Sequence, residues 1–156
     1  MPGKKPTHEQ AQLQLQLYDL RREAKLRQAR DWFSQSYFVD SFEDSMRIAP
    51  FTSPEGTYLF MILGYWEQAC ALLNHGLLHE ELFFSTAGEF FGVWERVKPI
   101  VAQCREMFKQ KLFLANLEKA AARFEKWQKK VSPGAVEAMR QFTQQMRSEK
   151  AKKATA

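Results

Sequence analysis

Apolar residues recur at helical spacing along nearly the whole chain, and a period of two persists nowhere. Leu13, Leu17, Leu20 and Ala24 follow one another at intervals of 4, 3 and 4, which is one stripe on a helix. Leu26, Ala29 and Phe33 continue the stripe with a drift, while Gln12, Gln14, Gln16, Arg22, Lys25 and Arg30 occupy the other face. Thr7-His8-Glu9-Gln10 reads as a capping box, in which the Thr7 hydroxyl accepts from the Gln10 amide and the Gln10 side chain reaches back. These signals predict a helix from Thr7 to about Ser36, ~45 Å long if straight.

The pattern then shortens and turns more apolar. Phe38, Phe42 and Met46 predict a short helix around Ser41 to Arg47, and Pro50 ends it. Ser53-Pro54 is an N-cap and first-turn pair for a helix running to about Asn74. From Tyr58 to Leu73 that helix is apolar nearly all round, so it is expected to be the most buried. Gly76 suits the left-handed residue after a helix end. A further helix is expected from near His79 to about Val97, with Glu80 and Glu81 in its first turn and Pro99 kinking or restarting it. Val101, Cys104, Phe108, Leu112, Leu117, Ala120, Phe124 and Trp127 carry the periodicity to about Lys130. After Ser132-Pro133-Gly134, Val136, Met139, Phe142 and Met146 line one side of a last helix. The expected fold is all-α, an irregular bundle of about five or six helices in one domain, with residues 1–6 and 149–156 as disordered tails.

Gly64-Tyr65-Trp66-Glu67 and Gly92-Val93-Trp94-Glu95 repeat a Gly-x-Trp-Glu pattern 28 residues apart. If segments 54–75 and 79–97 form an antiparallel hairpin about Gly76, Trp66 faces Ala87 and Gly88, and Trp94 faces Tyr58 and Leu59. Large rings against small residues interdigitate, so Trp66, Trp94, Gly88 and Gly92 read as packing positions at the centre of the bundle.

Charge divides the chain into three blocks. Residues 37–108 carry 10 acidic and 4 basic side chains, residues 1–36 carry 7 basic and 4 acidic, and residues 109–156 carry 12 basic and 4 acidic. The middle block also holds 14 of the 21 aromatic residues, so an acidic aromatic core is expected between basic, solvated arms. The arms either neutralise the acidic centre of their own chain or meet phosphates outside it. Glu118, Glu125, Glu137 and Glu149 interrupt the C-terminal basic run, which favours a solvated helical face.

Candidate chemistry is sparse. Glu67 and Glu95 each follow a tryptophan on a helix expected to be buried. They are read either as a carboxylate pair for metal or acid–base work, or as structural ion pairs with Arg47, Arg96, Lys98 or Arg105; the structural reading is preferred. His75, His79, Glu80 and Glu81 resemble a metal cluster, but Gly76 breaks the helix that the histidine spacing needs, so they are read as turn and cap residues. Cys70 and Cys104 sit in apolar surroundings and are expected to be reduced core residues. No phosphate-binding glycine loop, nucleophile elbow or paired Glu-x-x-His occurs. No catalytic, cofactor-binding or metal residue is assigned, and an enzyme is not expected. No apolar run suits a signal peptide or a bilayer crossing, so a cytoplasmic protein is expected.

The run from Trp66-Glu67 through Gly76-Leu77-Leu78-His79-Glu80-Glu81 to Trp94-Glu95-Arg96-Val97-Lys98-Pro99-Ile100 resembles a family of uncharacterised bacterial helical domains, a domain of unknown function. The resemblance implies a helical fold and brings no catalytic residues. Some members of that family carry an amino-terminal membrane segment, where this chain has a polar amphipathic helix. The expected role is a non-enzymatic protein-interaction or regulatory module that binds another protein or itself through amphipathic arms, with no membrane contact. The alternative is a nucleic-acid accessory protein using the basic C-terminal helices. Self-association would run through Leu17 and Leu20.

Overall fold

The computed structural model describes residues 3–156; Met1 and Pro2, part of the expected 1–6 tail, lie outside the described residues. Among the described residues the chain forms eight helices and no strand. They are α1 (His8–Arg21), α2 (Ala24–Ser36), α3 (Phe42–Ile48), α4 (Pro54–Asn74), α5 (Glu80–Thr86), α6 (Glu89–Met107), α7 (Ala115–Val131) and α8 (Ala135–Ala154). The all-α class matches expectation, but eight helices replace the five or six.

Several termini follow the sequence signals. Thr7 and Gln10 form the capping box, with hydrogen bonds of 3.0 and 3.1 Å. The Ser53 hydroxyl accepts from the Gly56 amide at 3.0 Å, and Pro54 opens α4. Gly76 is left-handed with φ +77°. There the Gly76 amide donates to Leu73 and the Leu77 amide to Leu72, both at 3.0 Å, which closes the end of α4.

Other boundaries differ. The expected helix from Thr7 to Ser36 breaks at Arg22 and Glu23. The Glu23 carboxylate accepts from the Lys25 and Leu26 amides at 3.0 and 2.9 Å and so starts a new helix. Within α1 the stripe is only partly used: Leu17 is buried, whereas Leu20 in the last turn is 61% exposed. The segment expected as one helix over 79–97 divides at Ala87 and Gly88, and α6 then continues past Pro99 without ending there. Ile100, Val101 and Cys104 are buried beyond the proline, so packing holds the helix across one missing hydrogen bond. Residues 108–114 leave the helix, with Lys109 and Leu114 both left-handed at φ 55°. Helix α8 continues to Ala154, through most of the stretch read as a tail.

The centre is not the expected hairpin. Helix α4 lies mainly between α2 and α7, while α6 packs on α7, α3 packs on α6, and α8 rests on α7 and α2. Trp66 is buried, with its ring 6.3 Å from that of Phe90. Gly88 lies against Phe124, whose ring would be 3.5 Å from an added Cβ, so its partner is α7 rather than α4. Gly92 faces open space and is not a packing position. Leu59, Ile62, Leu63, Trp66, Ala69, Cys70 and Leu73 bury most of α4, at roughly 1.5–3 kcal/mol per large side chain. Gly56 lets the Pro50 loop cross α4 closely: a Cβ there would stand 2.1 Å from the Pro50 carbonyl oxygen.

Candidate functional site

The two singled-out carboxylates are separate. Glu67 projects from α4 to the start of α7. Its Oε1 accepts from the Asn116 amide and side chain at 3.1 and 3.0 Å, and its Oε2 accepts from the Leu117 amide at 2.8 Å. Leu114 precedes α7 in a left-handed conformation and has no side chain that can cap it, so Glu67, 49 positions before Asn116, supplies the cap. None of the cations proposed from sequence touches Glu67. Asn74 extends the arrangement by donating to the Asn116 carbonyl at 3.1 Å, and Arg123 joins Asn74 to Glu80 with two bonds of 2.8 Å. The network ties α4, α5 and α7 together.

Glu95 instead joins α6 to α8. Its carboxylate accepts from Arg140 at 3.0 and 3.1 Å and from Lys98 at 3.1 Å. Burial works to raise its pKa, but the bonds from Arg140 and Lys98 outweigh burial and hold it below the ordinary carboxylate value. Of the four cations named from sequence, only Lys98 reaches it.

His79 caps α5, its Nδ1 accepting from the Leu82 amide at 3.2 Å, while its Nε2 meets the Lys4 carbonyl. His75 ends α4 and is exposed. Among the described residues no three His, Cys, Asp or Glu side chains converge as metal ligands. Cys70 and Cys104 are both buried, and burial raises both thiol pKa values. No described helix is long and apolar enough to cross a membrane.

Two surfaces remain that these structural bonds do not use. The first is an aromatic edge. Phe51 lies 5.6 Å from Phe60 and 5.7 Å from Phe108, and Phe108 lies 5.6 Å from Phe113, centroid to centroid. Phe60, Met107 and Phe108 are exposed by 36–45%, and Leu112 by 74%. Lys109, Lys111 and Glu106 lie alongside in sequence and are exposed, while Arg105 is held by Glu118 at 2.6 Å. The left-handed residues Lys109 and Leu114 bracket this connection, within which Leu112 is exposed. The helical period through 108–112 hid this edge, because no Gly or Pro marks the break.

The second is a cleft of about 440 Å³ between α2, α6 and α8. Gly88, just before α6, and Gly92 and Arg96 on α6 line it from one side, and α8 contributes Met139, Phe142 and Met146. Arg96 is clamped between rings, with its guanidinium carbon 4.7 Å from the Phe33 centroid and 4.1 Å from that of Phe38. Its Nε donates to the Tyr37 carbonyl at 2.8 Å, its Nη1 to the Ser34 carbonyl at 3.3 Å, and its buried Nη2 has no acceptor. Burial lowers its pKa to about 10. Sequence reasoning missed this arginine as a site residue because its rings come from α2 and the α2–α3 connection.

Searches of curated proteins and of solved structures return no match. The family model described as a domain of unknown function, DUF4760, matches residues 6–127, which takes in α1 to α6 and most of α7 and leaves α8 outside. With 122 of 156 residues covered, the chain belongs to the DUF4760 family, a domain of unknown function.

Proposed function

We propose that this chain is a non-enzymatic interaction module that docks a segment of another protein on the edge formed by Phe60, Phe108 and Leu112. The supporting observation is the contiguity of that edge. Its four rings touch in series, and Met107 and Leu112 extend it into solvent. An exposed apolar surface with a charged rim is a common mark of a protein contact. The fitting partner is an amphipathic segment with carboxylates beside its apolar face, because Lys109 and Lys111 outweigh Glu106 at the rim. A second copy of this chain fits less well, since a two-fold contact would bring like rims together. The expected contact through Leu17 and Leu20 also loses support, because Leu17 is part of the core.

The reading is tested with fluorescent amphipathic peptides of equal apolar content and acidic, neutral or basic flanks, measured by anisotropy. The acidic peptide should bind at least about tenfold tighter than the basic one, and Leu112→Asp with Phe60→Ser should abolish binding. Equal binding of all three peptides, or binding untouched by those substitutions, overturns the proposal. So does preference for anionic lipid vesicles over every peptide.

The nucleic-acid reading draws on the lysines of α7 and α8. Against it, Arg123, Lys129, Arg140 and Arg147 are already paired with Glu80, Glu125, Glu95 and Asp40. Retention on a DNA column that falls steeply with salt would favour it instead.

A further inference from the structure

We propose that the α2–α6–α8 cleft is a binding site for a small anionic amphiphile, with its carboxylate or phosphate head on Arg96 and its apolar body over Gly92 against α8. This site is distinct from the aromatic edge. Four observations carry it.

The first is an unmatched cation. Arginine at a partly buried position ordinarily meets a carboxylate, because leaving a charge without a counterion out of water is costly. Arg96 has only two carbonyl acceptors and two aromatic faces, and no carboxylate pairs with it. The rings hold the guanidinium in one orientation at the cleft wall, where a carboxylate or phosphate would supply the missing counterion.

The second is the balance of charge around it. Arg27, Arg30, Asp31 and Glu89 also line the cleft. Glu89 is taken by Arg30 at 2.7 and 2.8 Å and by Arg21 at 3.6 Å, so it does not serve Arg96. The three arginines Arg27, Arg30 and Arg96 thus outnumber the two carboxylates Asp31 and Glu89 in the lining.

The third is space made by sequence. Gly92 lies in the middle of α6, where glycine costs about 1 kcal/mol relative to alanine. A Cβ on Gly92 would meet nothing within 4 Å, so packing does not require the glycine there. Its absence of a side chain keeps the floor open.

The fourth is the opposite wall. Phe142 is 62% exposed, and Met139 and Met146 stand beside it on α8. Flexible thioethers and a loosely held ring adapt to apolar bodies of varied shape. The volume of about 440 Å³ falls in the range of small-molecule sites.

The test uses the full chain and isothermal titration with dodecanoate, dodecyl phosphate, dodecanol and dodecylamine below micelle formation, with inorganic phosphate as the head group alone. Dodecanoate or dodecyl phosphate should bind at least about tenfold tighter than dodecanol, and inorganic phosphate should bind weakly. Whichever anion prevails identifies the head group. Arg96→Met should level the anion and the alcohol, and Gly92→Leu, built into open space, should block all of them. Equal affinity for anion and alcohol in the unsubstituted chain overturns the proposal. So does tighter binding of dodecylamine, retained binding in Gly92→Leu, or no binding of either anion. If Arg96→Met does not fold, Gly92→Leu and the comparison of head groups on the unsubstituted chain decide it.

Discussion

Glu67 shows how a residue that looks reactive in the sequence can be spent on architecture. A carboxylate on an otherwise apolar helix suggests chemistry because burying charge is costly. Here three N–H donors at the start of α7 accept that charge, each within 3.1 Å. Bonds of this kind to a charged acceptor contribute more than neutral ones. Glu67→Gln keeps the shape but points an amide at a backbone N–H. It should lower the unfolding free energy in urea by about 1–3 kcal/mol. Glu106→Gln, at an exposed position, should change it by less than about 0.5 kcal/mol. Equal effects from the two would mean that Glu67 does not hold α7.

At the scale of elements, the termini carrying a local chemical device were legible. Thr7 with Gln10, Ser53 with Pro54, and Gly76 each satisfy orphan backbone groups with atoms a few residues away, and such spacing is visible in a sequence. The near-continuous apolar run of α4 also marked it as buried. Breaks made by less usual means were not legible. Glu23 is not a typical N-cap, and neither Lys109 nor Leu114 has a type that announces a left-handed backbone. Pro99 suggested a kink or a restart, and packing beyond it keeps α6 from restarting. The neighbours of α4 were illegible for a different reason: an all-apolar helix has no single face to aim. The Arg96 clamp needed α2 and α6 together and had no local trace.

Helix α8 shows what weak packing implies. Val136 is its one buried residue, and ion pairs supply much of its attachment: Arg140 to Glu95 and Glu125, and Arg147 to Asp40 at 2.5 and 2.8 Å. Arg147 holds Asp40 low, and Lys129 with Arg140 holds Glu125 low; Glu95 is low despite its burial. A carboxylate whose folded pKa is depressed stabilises fully above its unfolded pKa, and that stabilisation is lost as pH falls through the folded value. Below the ordinary carboxylate range, α8 should therefore loosen before the core. Amide exchange, corrected for its intrinsic pH dependence, should rise first in residues 135–154 while α4 stays protected. Simultaneous loss in both helices would make α8 part of the cooperative core.

Across the whole molecule, part of the segregated charge is turned inward. Arg21 and Arg30 of the amino-terminal block meet Glu89 of the centre, and Arg123, Arg140 and Arg147 of the carboxy-terminal block meet Glu80, Glu95 and Asp40. Partly exposed pairs contribute only about 0–1 kcal/mol each and weaken with salt. Raising sodium chloride from low to molar concentration should lower the unfolding free energy by on the order of 1 kcal/mol, read from urea midpoints. No change would mean that the pairs set orientation without adding stability. The remote cap on α7 has a consequence at this scale for the order of assembly. Residues 115–131 lack a start signal of their own, since Glu67 must already be in place to provide it. A peptide of that stretch alone would begin poorly, and in the intact chain its first turn forms as a late, contact-dependent event.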